Sequence, residues 1–151
     1  NIETLSVSPS SIPGIHKFTI TACCTPDMAE KIVMQVEKRI DVLRAFYLTD
    51  DDIVYQEIAL YKVPTEQLIA EKQLEHIIRH YNARILEIDK SYTVLEKAGH
   101  PDETEALFHE LQKYGIRQFV RSGRVAVTKC DAEYLDIYLE QQDQRRKQLE
   151  A

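Results

Sequence analysis

The stretch VYQEIALYKVPT, residues 54–65, decides how the rest of the chain is read. Residues 54–63 read as a strand, and Pro64-Thr65 then opens a helix, because a proline fits the first turn where no backbone donor is needed. That helix carries Leu68, Ile69, Leu74, Ile77, Ile78 and Tyr81 at helical spacing. Residues 84–89 and 92–97 follow as a hairpin. Pro101 starts a second helix with Leu107, Phe108 and Leu111 on one face, His100 lies in its opening turn, and Gly115 ends it. Residues 116–121 and 125–128 form a last strand, broken near Gly123.

The order from residue 54 is therefore βαββαβ, a ferredoxin-like arrangement. A final helix over 132–150 carries Tyr134, Leu135, Tyr138 and Leu139 on one stripe.

Upstream, the same grammar recurs in part. Residues 3–8 alternate, with Leu5 and Val7 on one face and Thr4, Ser6 and Ser8 on the other. A turn cluster of Pro9, Ser10, Ser11, Pro13 and Gly14 leads to residues 16–24, where Phe18, Ile20 and Ala22 alternate with Lys17, Thr19 and Thr21. Thr25-Pro26-Asp27 opens a helix with Met28, Ile32, Val33, Val36 and Ile40 at helical spacing. Residues 42–48 return to a strand-like pattern, and Asp50-Asp51-Asp52 reads as a short hydrated linker. The first half is thus ββαβ, short of an opening strand and helix. The chain begins at Asn1 without a methionine and reads as a fragment of a longer protein. The expected class is α+β, with two ferredoxin-like (βαββαβ) domains: a truncated one at 1–49, a complete one at 53–130, and a C-terminal helix at 131–151.

Composition narrows the function. In 151 residues, 44% are hydrophobic and 29% charged, a globular balance, with formal net charge −6. An acidic chain with one short basic run, Arg145-Arg146-Lys147, argues against nucleic acid and anionic membrane as partners. No apolar run approaches the roughly 18 residues of a membrane span. Cys23, Cys24 and Cys130 lack zinc-site spacing and read as reduced thiols of a cytoplasmic protein. His76 and His80, four apart on a helix, could share a metal, but no third ligand stands at a diagnostic distance, so they read as a solvated face. Neither a nucleophile elbow, a P-loop nor a GxGxxG occurs, so no catalytic residue, metal or cofactor is assigned.

Particular residues add a resemblance. Asn1-Ile2-Glu3-Thr4-Leu5-Ser6-Val7 resembles the second strand of the N-terminal ACT domain in small regulatory subunits of acetolactate synthase. Asp41-Val42-Leu43-Arg44 and Glu57 to Val63 resemble the exit from that domain and the entry to the next. Ser91-Tyr92-Thr93-Val94 with Ala98-Gly99 resembles the family's central hairpin, and Arg121-Ser122-Gly123 its closing strand. The resemblance implies a non-catalytic subunit that activates the thiamine-diphosphate-dependent catalytic large subunit and mediates feedback inhibition by valine or another branched-chain amino acid. It also implies paired ACT domains, hence a homodimer, with the effector held by a glycine loop and by an Asn matching Asn1. Ile2, Ser6 and Ser8 then complete the effector-binding set of this strand. The family's first strand, glycine loop and first helix have no counterpart in these residues. An ACT-type amino-acid-responsive transcription regulator is the alternative, opposed by the acidity and by the lack of a helix-turn-helix.

Overall fold

The computed structural model describes residues 1–70 and 74–150 of the chain. Ile2–Pro9 (β1) and His16–Ala22 (β2) form a two-stranded sheet. The turn between them closes through the Ser10 N–H, which donates to the Ile15 carbonyl (2.9 Å), and Gly14 takes a φ of +82°. Helix α1, Pro26–Glu37, starts where expected: the Thr25 hydroxyl accepts from the Met28 N–H and Pro26 fills the first turn.

The strand expected over 42–48 is absent. After α1 the chain runs irregularly to a single 3-10 turn, Asp50–Asp52. Strand pattern alone is insufficient there, because an extended segment needs a ladder partner for its backbone groups. Local bonds take that place: the Glu37 carboxylate accepts from the Ala45 N–H (3.0 Å) and pairs with Arg44 (3.3 Å). Asp52 accepts from both the N–H and the hydroxyl of Thr49, which hold its carboxyl below the usual carboxylate range.

The second sheet follows the βαββαβ order. Its elements are β3 (Ile53–Val63), α2 (Thr65–Ala70), α3 (Leu74–Tyr81), β4 (Arg84–Ile88), β5 (Thr93–Gly99), α4 (Pro101–Gln112), β6 (Gln118–Arg121) and β7 (Val125–Thr128). Strand order is β4-β5-β3-β6, with β7 also paired to β3; β3 runs antiparallel to β5 and β6, and β4 antiparallel to β5. The expected break near Gly123 separates β6 from β7. Alternation along β3 sends Ala59, Tyr61 and Val63 into the core, where they meet Leu68, Ile77, Leu95, Leu107 and Leu111, all without exposed surface. The Tyr61 hydroxyl donates to the Thr104 carbonyl (2.7 Å), tying sheet to helix, and burial pushes that phenol upward. Helix α5, Tyr134–Leu149, closes the described chain.

The chain divides into two compact units that do not follow its linear order. One holds residues 1–3, 22–54 and 126–151, and the other residues 4–21 and 55–125. In the first, the rings of Phe46 and Tyr134 lie 4.4 Å apart and the Lys129 ammonium donates to the Asp51 carbonyl. The second contains most of the hairpin together with the four-stranded core.

Candidate functional site

Strand β1 carries three of the four residues expected to hold an effector. Side chains on a strand alternate, so Ile2, Thr4, Ser6 and Ser8 share one face. Asn1 precedes the strand and is exposed. Ile2 is 70% exposed, Ser6 is half-buried and Ser8 is exposed. Asn1 and Ile2 fall in the first compact unit, Ser6 and Ser8 in the second.

Thr4 shares this face but is not among the residues expected to hold the effector. Its hydroxyl shares a hydrogen bond with that of Thr21 (2.5 Å), and its side chain lies against Gly123. A Cβ placed on Gly123 would come within 3.1 Å of the Thr4 Cβ. No motif flags such a neighbour, because 119 positions separate the two residues; the only hint was the glycine itself. The opposite face of the hairpin, Leu5, Val7, Phe18 and Ile20, is 58%, 50%, 63% and 49% exposed.

A second feature invisible in the sequence is a polar knot at the start of α4. Glu57 is only 4% exposed, and one of its oxygens accepts from the Arg121 Nε (2.7 Å) and from the Thr104 hydroxyl. Arg121 also pairs with Glu105 (3.2 Å) and donates to the Pro101 carbonyl (3.3 Å). A buried carboxylate is tolerable only with such partners. The knot thereby fastens the helix to the sheet.

The remaining candidates stay apart. His76 and His80 stack with ring centroids 5.7 Å apart, and among the described residues no group of three or more His, Cys, Asp or Glu could hold a metal ion. His100 caps α4, its N–H donating to Glu103 (2.7 Å), a bond that holds that carboxyl below its usual range. Cys23, Cys24 and Cys130 are free thiols. The open groove lined by Thr65, Ile69, Ala70, Ile88 and Lys90 includes none of the expected site residues. Among the described residues no helix is long and apolar enough to cross a membrane.

Known proteins speak to the same frame. The family model described as the small subunit of acetolactate synthase matches residues 56–130. The acetolactate synthase small subunit of Aquifex aeolicus is 30% identical over 129 residues, covering 85% of this chain and 67% of the relative. The chain belongs to the acetolactate synthase small-subunit family. Its counterpart in Bacillus subtilis is 28% identical over 130 residues, covering 85% of this chain and 75% of the relative. The fold agrees with the crystal structure of the small subunit from Thermotoga maritima, at a TM-score of 0.77 and 21% identity, over 87% of this chain and 82% of that one. The small subunit is the regulatory and not the catalytic chain of its synthase.

Proposed function

We propose that this small subunit activates the thiamine-diphosphate-dependent catalytic subunit of acetolactate synthase and carries feedback inhibition by valine or another branched-chain amino acid. The single observation that supports the effector role is the placement of Ile2, Ser6 and Ser8 on one face of β1, directly after Asn1. An amino acid needs donors and acceptors for its charged ends and apolar walls for its side chain. The Asn1 amide offers both a donor and an acceptor, the serine hydroxyls likewise, and Ile2 offers apolar surface. An effector alters catalysis only by binding two states of the complex unequally, so the strand must differ between the inhibited and active forms.

Residues 1–49 are assigned to an ACT domain entered at its second strand, 53–130 to the ferredoxin-like domain, and 131–151 to the C-terminal helix. Pairing of two copies through the ACT domains is the assembly we favour, supported by the four exposed apolar side chains of the hairpin. The cytoplasm is the expected compartment, in keeping with three free thiols.

Reconstitution with the catalytic subunit tests the proposal. Acetolactate formation should rise when the small subunit is added and fall again on addition of valine, leucine or isoleucine, each tried singly. A catalytic subunit indifferent to the small subunit would refute it.

A further inference from the structure

β1 meets, at one point, a segment that is hydrogen-bonded to the core strand β3. The segment leading into Gly123 is tied to β3 through Ser122. The Ser122 N–H donates to the Ile58 carbonyl (2.9 Å), the Ile58 N–H donates to the Ser122 hydroxyl oxygen (2.9 Å), and that hydroxyl donates to the Gly123 carbonyl (2.7 Å). One residue earlier, Arg121 is held by the buried Glu57. Thr4 lies beside this turn on the face of β1 that also carries Ser6 and Ser8, and its bond to Thr21 joins β1 to β2. Thr4, Thr21, Gly123, Ile58 and Glu57 all belong to one compact unit.

We propose that the Thr4–Gly123 contact is the mechanical link by which displacement of the effector strand reaches the ferredoxin-like domain. The proposal rests on β1 being the effector strand. Coupling needs a stiff contact whose two arrangements differ in energy, since a soft one absorbs the displacement. Here the receiving side is a turn with three hydrogen bonds to or beside a core strand, and the transmitting side chain is β-branched and restricted in χ1. Gly123 is required twice over. Its φ of +75° lies in the left-handed region, and the position a Cβ would take is already crowded by Thr4.

The molecule supplies its own controls. Gly14 and Gly115 have φ values of +82° and +78°, yet nothing lies within 4 Å of a Cβ placed on either. Gly14→Ala and Gly115→Ala therefore report backbone strain alone, while Gly123→Ala adds the altered contact. Thr4→Ala removes the contacting hydroxyl and methyl from the other side without touching a glycine, and so covers the case in which Gly123→Ala fails to fold.

The experiment measures valine binding by calorimetry and valine inhibition of the reconstituted holoenzyme for each variant. Gly123→Ala and Thr4→Ala should bind valine within about threefold of the parent, yet lose at least about half of the maximal inhibition at saturation, because coupling and binding are separate free energies. The two control glycine variants should keep full inhibition. Full inhibition in both Gly123→Ala and Thr4→Ala overturns the link. So does a loss of valine binding that accounts for the loss of inhibition, since Thr4 would then belong to the pocket. If the parent holoenzyme responds to none of the branched-chain amino acids, the effector reading falls, and the link with it.

Discussion

The five-stranded sheet and the β1–β2 hairpin are written in the same alternating code and meet opposite fates. On β3, every second side chain from Ala59 to Val63 is fully buried beneath helices. On β1 and β2, the apolar Leu5, Val7, Phe18 and Ile20 are exposed, while Thr4, Ser6, Thr19 and Thr21 are the more covered. Alternation selects two faces; a covering layer decides which of them is core. The sheet has two helical crossovers to cover it, whereas the hairpin is followed by α1, which itself has no buried residue. One region is thus sealed into a core and the other is left exposed.

Breaking the comparison starts in the core. Leu107→Ala should cost about 2–5 kcal/mol, the range for truncating a fully buried leucine, and lower the denaturant midpoint accordingly. A cost below about 1 kcal/mol would mean that the sheet is no better packed than the hairpin.

At the other extreme of function, Asn1→Ala in the full-length protein should change response without changing stability. Losing a hydrogen bond to a charged ligand group costs on the order of 1.5–3 kcal/mol, so the inhibition midpoint for valine should rise roughly tenfold to a hundredfold. Activation of the catalytic subunit and the unfolding midpoint should both stay near their parent values. An unmoved inhibition midpoint would place the effector away from β1.

Arg121→Ala probes the polar knot. It leaves Glu57 buried with Thr104 as its remaining partner, which should cost about 1–3 kcal/mol. The arginine's own partial exposure keeps the effect below that of breaking a fully buried pair. Arg121→Lys should recover only part, because one ammonium cannot reach Glu57, Glu105 and the Pro101 carbonyl together. Chemical denaturation of both variants would separate these outcomes.

The smallest effect on stability is expected at Phe18. With its ring already 63% exposed, Phe18→Ser should shift unfolding by no more than about 0.5 kcal/mol. Its consequence should appear instead in assembly, with sedimentation velocity moving toward smaller species at micromolar concentration. A stable monomer in the parent chain would remove the hairpin's apolar face as an association surface.

The βαββαβ order, the helix starts at Pro26 and Pro101 and the break at Gly123 were legible from residue 54 outward, because proline, glycine and period-two alternation act locally. The strand expected over 42–48 was not, since a ladder requires a neighbour that pattern cannot supply. The candidate site divides along the same line. Asn1, Ile2, Ser6 and Ser8 could be named by resemblance, and alternation alone sets the last three on one face. Thr4 against Gly123 and Glu57 against Arg121 are pairs 119 and 64 positions apart. The sequence by itself determined which residues alternate and where helices begin. Only the tertiary structure decided which alternating face is covered and which distant polar groups meet, because burial and long-range contact arise from packing whole elements together.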